Sequence, residues 1–287
     1  MSTRVQPAPL REVRGPSALG GGWRRFFDLL WLMSVTEFKR VYFGTVLGYL
    51  WSLIRPLMLF GVLLFVFTNV FKIGSVEVEH YPVLLLLGIV LFTFFQESTT
   101  NSVTSVVAQE GVVRKTKFPR LVIPLSTVVT GAFNFCLNLI VVFAFIFAFG
   151  VDPTWTWLLF PLALALLFVF TAAASMALSV LYVRFRDVAI IWAVVAQVLL
   201  YLTPILYPIN AFEEENQTYE HLLMCNPLSV IFTQIRIWIL HEADAPSVLH
   251  AAGGWAGLIP ATVIFFGVIA FGAWIFKREA PRVAEAL

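Results

Sequence analysis

Lysine never follows glycine in these 287 residues. That absence excludes the G-x-x-x-x-G-K-[ST] loop, so the chain holds no nucleotide through a phosphate loop of its own. H-E-x-x-H is missing as well. The two cysteines do not suggest a bridge or a metal site, since Cys136 lies within an apolar run and Cys225 in a polar region. The four histidines (His80, His221, His241, His250) never stand four apart and read as interface residues rather than ligands. No Ser/His/Asp set converges on one membrane face. No catalytic residue, cofactor site or metal site is therefore expected. Charge is the scarcest commodity. Only 13% of residues are Asp, Glu, Lys or Arg, against about a quarter in soluble domains. With 60% hydrophobic residues and a mean hydropathy of +0.87, this is an integral membrane protein. The net charge of +2 gives no reason to expect a nucleic-acid partner. The first 20 residues have no apolar stretch, so they are expected to form a tail rather than a cleaved signal.

What the chain has in quantity is long apolar runs. About 20 apolar residues carry a helix across a ~30 Å hydrocarbon core. Six runs qualify: Leu47–Phe71, Pro82–Ala108, Leu121–Gly150, Trp155–Tyr182, Val188–Tyr207 and Trp255–Phe276. None alternates as the strands of a membrane barrel would, so the fold class is all-α. Asn226–Leu240 is shorter, carries Gln234 and Arg236, and suits a re-entrant or interfacial helix. The cations test this count. Seven precede the first run, four lie between the second and third, Arg184 and Arg186 follow the fourth, and three end the chain. Only Lys72 and Arg236 fall in the alternate loops. Such a bias places both termini in the cytoplasm with six spans. The expected organisation is a tail over 1–22, a transmembrane domain over 23–278 and a second tail over 279–287. Glu213, Glu214, Glu215, Glu220, Glu242 and Asp244 gather in the last external segment and read as a solvated cap; Asn216-Gln-Thr218 is a chance-frequency sequon.

Three local features stand out. Glu110-Gly-Val-Val-Arg-Lys-Thr-Lys-Phe-Pro-Arg-Leu-Val-Ile-Pro124 is a basic island stiffened by two prolines, too charged for lipid and too short to fold alone. Trp23–Tyr42 forms an amphipathic helix: Phe26, Phe27, Leu30, Trp31, Met33, Phe38 and Val41 share one half of the wheel. Arg24, Arg25, Asp28, Thr36, Lys39 and Arg40 share the other, with Leu29, Leu32 and Val35 as exceptions. Polar groups inside spans are costly and so informative. Arg55 precedes Pro56 in the first run, where it either snorkels to headgroups or lines a substrate path. Gln96 to Ser102 form a polar stretch leading towards the island. Glu97 within it is either hydrogen-bonded or protonated, or serves a proton relay. Thr203-Pro-Ile-Leu-Tyr-Pro208 sets two prolines four apart, so the fifth run must kink or stop there, buried or beside a cavity.

Four segments together resemble type-2 ABC transporter permeases that export lipid-linked polysaccharides of O-antigen, teichoic acid, capsule and galactan types. They are Gly44–Leu57, Gly111–Pro124, Tyr182–Val188, and Thr203–Pro208 followed by Asn226-Pro-Leu228. The resemblance implies a homodimer in the bacterial plasma membrane, bound to two copies of a cytoplasmic ABC ATPase subunit that holds ATP and Mg. It makes the island a coupling helix, with Glu110, Arg114, Lys115, Lys117, Phe118, Pro119 and Arg120 meeting the ATPase. Arg184, Arg186 and Asp187 flank the same face. It makes Trp23–Tyr42 a gate helix; near it Arg24, Arg25, Lys39 and Arg40, with Arg55 of the first span, favour a lipid phosphate. Channel-lining candidates in the first and fifth spans are Tyr49, Phe60, Phe67, Trp192, Tyr201 and Tyr207. Membrane lipids and the lipid-linked glycan complete the expected partners. Two residues depart from the family pattern: Arg55, where an amide is common, and Glu97, where a carboxylate is not typical. The rival readings are an exporter of a drug or small lipid and, from another class, a membrane acyl- or glycosyltransferase.

Overall fold

The computed structural model describes residues 22–42, 48, 50–70, 80–111, 119–207, 217–240 and 247–279, with no strand among them. Helix α1 is Trp23–Tyr42 and α2 is Leu50–Phe65, continued by a π-helical turn over Val66–Val70. Then come α3 (Tyr81–Ala108), α4 (Val122–Ala148), α5 (Phe160–Arg184, entered through a 3-10 turn at Trp155–Leu159) and α6 (Val188–Leu202). Helices α7 (Gln217–Met224), α8 (Pro227–Leu240) and α9 (Val248–Ala251) are short, and α10 (Ile259–Glu279) closes the order. Prolines in the first turns of α3 and α5 start those helices where a missing N–H costs nothing.

Five of these elements are long and apolar enough to cross a membrane: Leu50–Val70, Tyr81–Ala108, Val122–Ala148, Trp155–Arg184 and Trp255–Glu279. The chain is thus an all-α integral membrane protein. The fifth apolar run is helical only over Val188–Leu202, because Pro204 supplies no amide hydrogen and restricts the residue before it. Its stop is buried, and other elements satisfy its backbone. Tyr81 Oη donates to the Leu206 carbonyl (2.8 Å) and Ser229 Oγ to the Leu202 carbonyl (3.4 Å). Asn226 Nδ2 donates to Thr203 Oγ1 at 3.0 Å, while its Oδ1 accepts from the Leu228 amide at 3.1 Å and caps α8. Helices α7 and α8 meet at 100°, so the Asn226–Leu240 region is not part of a straight span.

Helix α3 is the axis of the bundle. In its most apolar stretch 78% is buried, against 11% for α2 and α10. Helices α2, α4, α5, α6 and α8 pack around it. Between apolar helices in lipid, close van der Waals approach replaces the drive to leave water. Gly272 of α10 lies so close to α5 that an added Cβ would meet the Ala173 carbonyl oxygen at 2.4 Å. Gly131 of α4 similarly meets Ser98 of α3. Arg184 and Glu279 pair at 4.0 Å, bringing the C-termini of α5 and α10 to one end of the bundle, called here the basic end.

Candidate functional site

Near the basic end a cavity of about 610 Å³ opens between α1, α2, α3 and α4. Its walls come from helical periodicity. On α3, Thr93, Glu97, Asn101, Thr104 and Ala108 follow one another at three- or four-residue steps and so share a face. On α4, Thr127, Gly131, Asn134 and Asn138 do the same, with Thr130 beside them. Beside the cavity the Ser102 and Thr127 hydroxyls share a hydrogen bond that joins α3 to α4. Helix α2 contributes Trp51, Ser52 and Arg55. Pro56 has no N–H for the Ser52 carbonyl, so α2 carries a gap in its ladder at this wall.

The two residues that depart from the family pattern are partners. Arg55 Nη1 donates to Glu97 Oε1 at 3.3 Å, linking α2 to the middle of α3. Glu97 is therefore neither a lone carboxylate nor isolated in lipid. Beside the pair, the side chains of Ser52 and Asn134 hydrogen-bond to the Tyr42 phenol at the end of α1. Burial, and after it the Glu97 carboxylate, push that phenol above its usual range, so it stays a neutral hydrogen-bonding group. Four helices thus converge on one polar hub.

Helix α1 is fastened along the first turns of α4. Ser34 Oγ donates to the Ser126 carbonyl (3.3 Å) and Thr130 Oγ1 to the Ser34 carbonyl (3.2 Å). The rings of Trp31 and Phe38 both meet Phe133 edge-on, at 5.5 and 5.7 Å. Ser34 is fully buried and was not on either half of the expected wheel. Among the gate-helix cations, Arg24, Arg25, Lys39 and Arg40 are exposed. Arg40 is paired with Glu37 at 2.9 Å.

Of the expected coupling residues, Arg114, Lys115, Lys117 and Phe118 lie outside the described residues. Glu110 is half-buried at the end of α3. Pro119 and Arg120 are both buried at the corner leading into α4, where their carbonyls accept from the Val122 and Ile123 amides. With 5% exposure, Arg120 belongs to that corner and not to an outward surface. Arg184, Arg186 and Asp187 are exposed at the basic end, and Arg186 sits 5.0 Å over the Tyr182 ring.

The expected channel aromatics divide. Tyr49 lies outside the described residues. Phe60 is buried edge-on to Phe145, and Trp192 donates from Nε1 to Thr99 Oγ1 at 3.1 Å, so both face the core of the bundle. Phe67 is half-buried against the same core. Tyr201 is 59% exposed, and Tyr207 Oη donates to its carbonyl at 3.0 Å. The most coherent polar site, between the second and third spans, was missed. Its signal is present as Thr127, Thr130, Asn134 and Asn138 at helical spacing in an otherwise apolar run.

The fold and cavity define a multi-span membrane protein with a polar chamber among its helices, and no metal-binding cluster exists among the described residues. Residues 28–240 match the family described as ABC-2 type transporter. The chain belongs to that family, whose members are transport subunits. An O-antigen export system permease protein RfbA of Klebsiella pneumoniae is 33% identical over 265 residues, covering 91% of this chain and 95% of that protein. A protein of the same name from Myxococcus xanthus is 29% identical over 222 residues, covering 77% and 84%.

Proposed function

We propose that this chain is the permease of an ABC exporter that moves a lipid-linked polysaccharide across the bacterial plasma membrane. Near full-length similarity to O-antigen export permeases carries the reading. In this scheme two copies form the channel, and both termini and the basic end face the cytoplasm. Two cytoplasmic ATPase subunits bind ATP and Mg, which accords with a chain lacking a Gly-Lys pair. The island transmits their motion to α3 and α4, the helices it joins. The lipid phosphate approaches along α1, where Arg24, Arg25 and Lys39 are exposed and make no ion pair among the described residues. Tyr201, exposed on α6, and Tyr207, whose phenol reaches the Tyr201 carbonyl, line the glycan path. The amides and hydroxyls of the cavity suit a polyhydroxylated cargo.

Reversing Lys115 and Lys117 together to Glu tests the coupling. Arg120 is left alone because it is buried. Surface polysaccharide is expected to fall at least tenfold while the permease still reaches the membrane as a dimer. Unchanged export in that variant would remove the coupling role, and unchanged surface polysaccharide after gene disruption would remove the function.

A further inference from the structure

The charge and chemistry of the α1–α4 cavity point to a ligand different from the phosphate assigned to α1. Its two arginines are each matched by a carboxylate, Arg40 with Glu37 at 2.9 Å and Arg55 with Glu97 at 3.3 Å. Among the described lining residues the charges therefore sum to zero, and none of these offers a phosphate an unmatched cation. The remaining lining is shared about equally between apolar surface and the polar groups of amides and hydroxyls. A sugar ring, with its C–H faces and hydroxyl edge, presents the same mixture in return. Asn134 Oδ1 and Gln109 Oε1 are shielded from solvent and accept no hydrogen bond among the described residues. Trp51, 53% exposed, adds an aromatic surface to the lining, and aromatic faces pack well on apolar C–H surfaces. A volume near 610 Å³ falls in the ~300–1,000 Å³ range of small-molecule sites.

We propose that this cavity is a carbohydrate-binding site that takes an uncharged sugar portion of the exported glycan. The assignment rests on the glycan-export reading. Hydroxyl-rich rings both donate and accept, which matches a wall of paired donors and acceptors without net charge. The Arg55–Glu97 pair belongs to the recognising surface, because a carboxylate accepts from two neighbouring hydroxyls while the guanidinium donates to a third. Phosphate and sugar are then held apart, the first by α1 cations and the second between α2, α3 and α4.

The test uses the full chain in nanodiscs and two probes. One is glycan released free of lipid and phosphate from the producing cell's own surface polysaccharide; the other is inorganic pyrophosphate. Binding is read from intrinsic tryptophan fluorescence. Saturable binding of the glycan is expected, unaffected by excess pyrophosphate. Asn101→Leu and Asn134→Leu should each weaken it about three- to tenfold, the worth of one neutral hydrogen bond or slightly more. Asn101 is exposed, so its variant remains informative if the Asn134 variant fails to fold. Pyrophosphate competing for the site would make it an anion site and overturn the proposal. Absent glycan binding, or equal binding in the Asn101 variant, would overturn it too. If gene disruption abolishes surface glycan in those cases, the export reading stands and only the cavity assignment fails. Normal surface glycan after disruption removes the export reading itself.

Discussion

Removing the two ends of the Arg55–Glu97 pair should have unequal costs. The Arg55 side chain is 80% exposed and that of Glu97 38%, on the most buried helix of the bundle. Two unit charges 4 Å apart attract by about 4 kcal/mol at an effective dielectric of 20, but exposed pairs measure only about 0–1 kcal/mol. This pair lies between those limits, so a coupling of roughly 1 kcal/mol is expected. Glu97→Gln strands an arginine that rehydrates, and should cost about 0.5 kcal/mol. Arg55→Met strands a carboxylate midway along α3, where an unmatched charge is more expensive, and should cost about 1–2 kcal/mol. The double variant should cost less than the two singles together by the coupling energy. Unfolding of the detergent-solubilised chain in rising SDS, followed by tryptophan fluorescence, measures all three. Equal single costs, or additivity within about 0.3 kcal/mol, would refute the idea that the pair bridges α2 and α3.

Three further outcomes are expected. Gly272→Leu should displace α10 from α5, because the Ala173 backbone cannot yield, whereas Gly267→Ala, with open space around it, should be silent; the monodisperse fraction on gel filtration separates them. Ser34→Ala and Thr130→Val each remove a hydrogen bond joining α1 to α4, at about 1 kcal/mol apiece. Faster tryptic cleavage at Arg24 and Arg25 would report the loosened helix. Trp192→Phe keeps the ring contact with Phe95 but loses the bond to Thr99, so it should lower stability by about 0.5–1 kcal/mol in the same SDS titration while leaving the fold intact.

The membrane class and most spans were legible because a 20-residue apolar run has few alternatives in lipid. The end of α6 was legible for the same kind of reason, since Pro204 dictates it locally. Phe60 and Trp192 were less so, as an aromatic in an apolar helix gives no sign of which neighbour it faces. Arg55 and Glu97 each looked anomalous alone, and only packing across 42 residues of chain explains them together. Asn134 and Asn138 were readable as a stripe, but their face is recognised as a wall only once α3 lies opposite. Ser34 escaped because a small hydroxyl weighs little on a hydrophobic wheel, yet it forms the close contact between α1 and α4.

The brevity of α6 has a consequence for the surrounding lipid. Its fifteen residues rise only ~22 Å, short of the ~30 Å hydrocarbon thickness. Several of its apolar side chains are exposed on the face beside Tyr201, among them Ile191, Val195 and Val198. Acyl chains meeting this face must shorten or tilt by several ångströms to avoid the polar end of the helix. A thinner bilayer beside α6 shortens the distance that a bulky headgroup must travel between leaflets.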